Sequence, residues 1–352
     1  MASIGIGVLS LAHGHIQSYC GEIQGFDDAD VISCWDDDET RGRAAAERYG
    51  MDYVADPHAV VEDDRVQAVM IGVETNRHAE MVRLAANAGK HILLQKPMAL
   101  TLDDCDQIIA DIDRTGVLFS MGYQMRQDPM NQKIKALIDD GTLGRIGIVR
   151  RRHCLNMLFN EAFHSSWHVD PEKNMGMWMD DASHAADFLL WILGKPVSVM
   201  AEIDSILTDV VHDETGCAIY RFEGGPMAIL LNSSVVWAGE NTTEVYGARG
   251  VVIQNHDDGP STARVGIPNP IGLKLFRSDA QQDGWEDLGF ELPAGHGARI
   301  AAVARPFIDY LQDPSLPHAT AREGKTCIEM ILGAYTSARE GRRVSLPLTD
   351  AG

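Results

Sequence analysis

The sequence predicts an α/β fold in two parts: a domain on a doubly wound parallel sheet at 1–125, and an α+β domain with a large, mostly antiparallel open sheet at 126–352. Three observations carry this. The first third alternates short β-branched runs with longer stretches of helical periodicity, the pattern of βαβ units. After about Asp128 the alternation gives way to strand-like runs separated by glycine-rich breaks, as in antiparallel sheets. The 352 residues also suit two domains at roughly 150 residues each.

In chain order, strands are expected at Ile4 to Leu9, Val31 to Trp35, Ala68 to Val73, Ile92 to Leu94 and Val117 to Met121. Helices are expected between them at Gly14 to Glu22, Thr40 to Tyr49, Arg77 to Ala88 and Leu102 to Thr115. Thr101 can cap the last of these, and Asp103 and Asp104 suit the positive end of its dipole. The second part opens with a helix at Asn131 to Asp139, stopped by Gly141, and a strand at Ile146 to His153. Met177 to Leu193 reads as one helix closed by Gly194 and Pro196. Strand-like runs from Val197 to Gln254 follow, broken at Gly224-Gly225, Gly239 and Gly250, and helices at Ala298 to Gln312 and Glu323 to Glu340 end the chain. The C-terminal helices are allowed to pack back on the first domain.

Charge excludes some functions. Lys and Arg number 30 against 51 Asp and Glu, a net −21, which repels nucleic-acid phosphates and anionic lipid. No nucleic-acid or membrane partner is expected. The longest apolar run near a helix, Phe188 to Leu193, is far short of the roughly 20 residues that span a bilayer. No Lys or Arg precedes Arg41, so the basic start of a secretory signal is missing. Six scattered cysteines without CxxC spacing read as free thiols, and the expected location is cytoplasmic.

The first strand should lead into a turn that brings a dinucleotide pyrophosphate to helix N–H groups. Gly5 and Gly7 fall inside the strand. The turn is therefore Ser10-Leu11-Ala12-His13-Gly14-His15, with Ser10 and Ala12 where glycines are usual, and His13 and His15 as loop residues rather than catalysts. Asp36 ends the second strand 22 residues after Gly14, close to the spacing of an acid that binds the adenosine ribose. Asp37 and Asp38 follow with no Arg at the strand end, which favours NAD over NADP.

Several segments, in order, resemble the glucose-fructose oxidoreductase / inositol dehydrogenase (Gfo/Idh/MocA) family. They are Ala68 to His78, ending Asn76-Arg77-His78; Gly89-Lys90-His91-Ile92-Leu93-Leu94-Gln95-Lys96-Pro97; Gly122-Tyr123-Gln124-Met125-Arg126; Gly176 to Asp187; and Ser337 to Val344. Two departures stand out: Ser10, Ala12 and Gly14 replace a glycine-rich loop, and Gln95-Lys96-Pro97 replaces Glu-Lys-Pro, removing a carboxylate beside the lysine.

The resemblance implies an N-terminal Rossmann domain and NAD-dependent hydride transfer between the cofactor and a secondary hydroxyl or ketone of a sugar, sugar derivative or cyclitol. Lys96 would stabilise alkoxide character and His184 would act as acid/base. Asp180, four residues before His184, shares its helix face and can orient the imidazole or take a substrate hydroxyl. Asp187 is given a structural role. Cofactor contacts are expected from Ser10, Ala12, His13, Gly14, His15, Asp36, Thr75, Asn76, His78, Gln95, Lys96 and Gln124. Substrate contacts are expected from Tyr123, Arg126, Trp167, His168, Asp170, Asp180 and His184, with Tyr123, Gln124 and Arg126 lining a cleft between domains. His153, His168, Asp180 and His184 have no specific zinc spacing, so no metal is expected. Alternatives within the resemblance are a glycosidase using transient oxidation by NAD, and a non-enzymatic NAD- or sugar-sensing regulator. The open sheet is expected to be covered in a homodimer or homotetramer, with Ile219, Ile229, Leu231, Val235 and Trp237 as face residues. Which sugar, and which hydroxyl, the sequence does not specify.

Overall fold

A computed structural model describes residues 3–237, 241–254, 271–279, 284–291 and 297–349; Gly239 lies outside them. The chain divides into two compact units: residues 1–124 with 172–174 and 299–328, and residues 125–171 with 175–298 and 329–352.

The first unit contains β1 (Ile4–Leu9), α1 (His15–Ile23), β2 (Ala29–Trp35), α2 (Glu39–Tyr49), β3 (Asp52–Tyr53), α3 (Pro57–Val61), β4 (Ala68–Ile71), α4 (His78–Asn87), β5 (His91–Leu94), α5 (Leu102–Thr115) and β6 (Phe119–Met121). Its sheet has the order β3-β2-β1-β4-β5-β6, with every pair parallel. The order reverses between β1 and β4, where doubly wound sheets take ligands at the carboxyl ends of their strands. Thr101 caps α5 by accepting from the Asp104 N–H at 3.1 Å. The short pair β3 and α3 escaped the sequence reading, although Asp56 caps α3 and Pro57 opens it, a recognisable start signal.

Gly5 and Gly7 lie in β1 because neighbouring chain comes too close for a side chain. A Cβ on Gly5 would stand 1.9 Å from the Arg65 carbonyl oxygen, and one on Gly7 would stand 2.5 Å from Val60 Cγ1.

The second unit holds α6 (Pro129–Asp139), β7 (Ile146–Cys154), α8 (Met177–Leu193), β8 (Pro196–Asp204), β9 (Thr215–Phe222), β10 (Met227–Ser233), β11 (Asn241–Gly247), β12 (Gly250–Gln254), β13 (Leu273–Arg277) and β14 (Glu286–Asp287); α7 (Pro171–Asn174), just before α8 in the chain, belongs to the first unit from Glu172 on. The nine-stranded sheet has the order β14-β13-β12-β11-β7-β10-β9-β8-β15, where β15 is Val344–Ser345. Only β7 and β10 pair in parallel among its described ladders. Helix α8 packs on β7 and β10, and Gly216 makes room for Trp178, whose ring would meet a Cβ there at 2.5 Å.

Two expectations need correction. The helix expected at Ala298 to Gln312 is two, α9 (Gly297–Ala301) and α10 (Ala304–Gln312). Pro306 has no N–H, and its ring excludes a helical carbonyl four residues earlier, at the break. Phe307 and Ile308 of α10 join Ile16, Tyr19, Met70 and Leu93 in the first unit's core. Val235 is not a sheet-face residue, because it is 5% exposed and packs with Leu158 and Met177. Helix α11 (Ala321–Glu340) completes the set. Among the described residues no helix is long and apolar enough to cross a membrane.

Candidate active site

The first unit brings the carboxyl ends of β1, β2, β4 and β5 together around the turn after β1. Ser10 adopts a left-handed conformation, φ 69°, which normally favours glycine. Its hydroxyl offsets part of that cost by accepting the Ala12 N–H at 3.0 Å, while its own N–H donates to the Trp35 carbonyl at 2.7 Å. Serine can therefore form this turn without glycine's freedom. The His13 N–H donates to Gly72 O at 2.9 Å. Gly72 is needed for the approach of α1, since a Cβ there would stand 2.2 Å from Ile16 Cγ1. Gly14 precedes α1 and makes no side-chain cap. A helix N-terminus where the strand order reverses suits a pyrophosphate, so the turn fits the dinucleotide expected from sequence.

At the end of β2 the structure corrects the charge argument. The first turn of α2 folds Arg41 back onto Asp36, donating from Nη2 at 2.6 Å and Nε at 2.9 Å. Arg77 donates to Asp37 Oδ2 at 3.1 Å and lies over the Trp35 ring, 5.4 Å from its centroid. Two guanidinium groups thus stand where none was expected. Burial opposes ionisation of Asp36, but Arg41 and the Leu11 and Asp38 N–H groups hold its carboxyl below the usual range.

Lys96 follows β5 and is 2% exposed. Gln95 uses both ends of its amide inside the protein, donating to Tyr19 Oη at 2.9 Å and accepting the Lys96 N–H at 2.8 Å. The amide in place of the resembled family's carboxylate thus positions the lysine's backbone. Thr75 donates to Asn174 Oδ1 at 2.8 Å, Asn76 is exposed, and Tyr123 and Gln124 are buried. His78 has its ring nitrogens against the Met98 and Val73 carbonyls at 3.2 Å. Burial pushes its pKa down to about 4, so this imidazole ties α4 to the segment after Lys96 instead of facing outward.

In the second unit, α8 carries Asp180 and His184 one turn apart in an otherwise apolar helix, 4% and 3% exposed. Its first turn is clamped. Asp213 accepts the Met177 and Trp178 N–H groups at 2.9 and 3.0 Å, and the Met179 N–H donates to Tyr335 Oη at 3.1 Å. The Tyr335 hydroxyl in turn donates to Asp213. Burial pushes the Asp213 carboxyl up, against these donors. A Cβ on Gly176 would stand 2.2 Å from Asp213 Oδ2, so glycine here lets the carboxylate reach the helix.

Arg126, expected among the substrate contacts, is paired with Asp187, with Nη2 to Oδ1 at 2.6 Å and Nε to Oδ2 at 3.1 Å. Trp167 and His168 stack with ring centroids 3.8 Å apart, on a turn that packs against α8 and ends at half-buried Asp170. The sequence reading weighed His153 only as a metal ligand. Its ring lies 5.2 Å from that of His184, on the face of β7 that α8 covers. Asp213 and Tyr335 were also missed, because their partners lie 35 and 156 residues away.

Two family models match the chain. Residues 2–123 match the oxidoreductase family, NAD-binding Rossmann fold, and residues 131–253 match the GFO/IDH/MocA C-terminal domain. The chain belongs to the Gfo/Idh/MocA oxidoreductase family. This family member is an NAD-binding oxidoreductase with a Rossmann-type first domain. It is 26% identical to a myo-inositol 2-dehydrogenase of Thermotoga maritima, covering 97% of this chain and 98% of the relative. It is 24% identical to a D-apiose dehydrogenase of Paraburkholderia graminis, over 99% and 90% of the two chains. An oxidoreductase domain protein from Kribbella flavida has the same fold, at TM-score 0.86, 20% identity and coverage of 99% and 100%. So does a levoglucosan dehydrogenase in complex with NADH, at TM-score 0.84, 18% identity and the same coverages.

Proposed function

We propose that this protein is an NAD-dependent dehydrogenase that oxidises a secondary hydroxyl of a sugar, sugar derivative or cyclitol, or reduces the corresponding ketone. The observation that carries the reading is the buried Asp180–His184 pair on α8, in a chain whose other unit carries Lys96 two residues after β5 of its parallel sheet. Relatives named for inositol and apiose supply the substrate class.

A nicotinamide dinucleotide held in the first unit would supply the acceptor, or in reverse the donor, of the hydride at the alcohol carbon. The Ser10–His15 turn and the α1 N-terminus would hold its pyrophosphate. Lys96 presents an ammonium to the alcohol oxygen and stabilises negative charge as the C–H bond breaks. His184 takes the hydroxyl proton, so one hydride and one proton leave the alcohol and a ketone remains; the reverse reaction returns both. Asp180 orients the imidazole or accepts a second hydroxyl. Arg126 acts through its ion pair with Asp187, holding the helix turn after His184. Trp167, His168 and Asp170 present rings and a carboxylate suited to sugar C–H faces and hydroxyls.

The half-exposed Ile219, Ile229 and Leu231, with exposed Trp237, support a homo-oligomer formed through the open sheet. The free cysteines support a cytoplasmic location. The test is turnover of a panel of inositols and pyranoses by protein shown to bind NAD. Accumulation of reduced nicotinamide with at least one member is expected. No reduction with any member, or release of an aglycone without it, overturns the reading.

A further inference from the structure

Asn232 on β10 carries a buried amide that the proposed chemistry leaves unused. Its side chain is 0% exposed, and neither Oδ1 nor Nδ2 has a hydrogen-bond partner among the described residues. Buried polar groups in folded proteins are almost always paired, because leaving one unpaired forfeits its bonds to water. An amide with both ends unpaired therefore points to a ligand.

The sheet register places it. Ala228, Leu230 and Asn232 alternate onto the buried face of β10, where α8 packs. Asn232 stands opposite His153 in the parallel ladder with β7 and opposite Gly216 in the antiparallel ladder with β9. Neighbouring strands are about 4.8 Å apart, so the amide is one strand away from His153, whose ring lies 5.2 Å from that of His184. On the other side the Trp178 ring fills the space over Gly216. His153, Asn232 and Gly216 thus form one row across the sheet, beneath the turns of α8 that carry Trp178 and His184. The Trp178 indole nitrogen is also buried without a partner among the described residues.

The amide's chemistry selects the group it takes. It offers both a donor and an acceptor, as a hydroxyl does. A carboxylate or phosphate would use only its N–H groups, and an ammonium only its oxygen. A polyol ring carries further hydroxyls within one ring's width of the hydroxyl that is oxidised.

We propose that Asn232 is a specificity-determining residue that reads a second hydroxyl of the sugar or cyclitol, beside the one whose proton passes to His184. The inference rests on the dehydrogenase reading above, and its test separates the two.

The test measures kcat/KM and urea midpoints for the wild type, Asn232→Leu and Asn232→Ser. The probes are the inositol or pyranose that the wild type oxidises fastest and the set of its mono-deoxy analogues. In the wild type, one analogue that still has the oxidised hydroxyl should turn over ~10-fold or more slowly than the parent. Asn232→Leu should lower kcat/KM for the parent by a similar factor and leave it unchanged for that analogue. Its urea midpoint should stay level or rise, because an apolar side chain of similar size replaces an unpaired buried amide. Asn232→Ser keeps a hydroxyl at shorter reach and should fall between in kcat/KM. Variants that slow the parent and every analogue alike, or that lose stability with discrimination intact, show a structural amide and overturn the proposal. So does an Asn232→Leu protein with the wild-type kcat/KM. A wild type that oxidises no panel member overturns the dehydrogenase reading itself, and this proposal with it.

Discussion

Gly176→Ala should loosen the helix that carries Asp180 and His184 without touching either residue. The added Cβ would lie 2.2 and 2.4 Å from the two Asp213 carboxylate oxygens, far inside van der Waals contact. A flexible side chain could turn away cheaply, but Asp213 is fully buried and held by Met177 N, Trp178 N and Tyr335 Oη. Moving it breaks two backbone bonds to a charged acceptor, each worth about 1.5–3 kcal/mol. Part is recovered if the carboxylate re-forms one bond after a small shift. Loss of a helix cap alone costs about 0.5–2 kcal/mol, so ~2–4 kcal/mol is the expected destabilisation of the second unit. Urea unfolding followed by tryptophan fluorescence measures it, with NAD titration reporting separately on the first unit. NAD affinity should be unchanged and turnover reduced. A variant whose stability lies within ~0.5 kcal/mol of wild type, the scatter of neutral surface changes, would refute the reasoning.

Other outcomes follow from buried groups. Arg126→Ala strands the enclosed Asp187 carboxylate and should cost about 3–5 kcal/mol, while a paired replacement by Met and Leu should recover most of it; denaturation midpoints decide. Tyr19→Phe removes the acceptor of the Gln95 amide and should cost about 1–3 kcal/mol, with slower turnover through the Lys96 backbone that Gln95 holds; steady-state rates and denaturation check both. His78 has a folded pKa of about 4 against about 6.5 when unfolded. The unfolded chain therefore binds more protons between those values. The stability is fully present above pH ~6.5 and is lost as pH falls towards the folded pKa, by ~3 kcal/mol in all. His78→Gln should flatten that part of the stability-against-pH curve, read by urea midpoints at successive pH values.

The parallel first sheet was legible because alternating β-branched runs and helical periods are local signals, and α5 and α8 matched to the residue because Thr101, Gly116 and Gly194 punctuate them. The position of Asp36 was legible for the same reason, as a spacing along the chain. Its state was not. Arg41 lies five residues on, and only the turn into α2 shows that it folds back onto the strand end. The α8 clamp was hidden because Asp213 and Tyr335 reach the helix from distant segments, and no spacing rule links them to Gly176. The partner of Arg126 was hidden for a related reason, since a cation in a motif does not show which buried carboxylate holds it.

The central claim, that Lys96 and His184 serve one dehydrogenation, is tested most directly by measuring reduced-nicotinamide formation and NAD affinity on the same samples of wild type, Lys96→Ala and His184→Ala. The account predicts that each substitution slows oxidation of an accepted cyclitol or sugar by ~100-fold or more while NAD still binds. Two variants that turn over at the wild-type rate would contradict it.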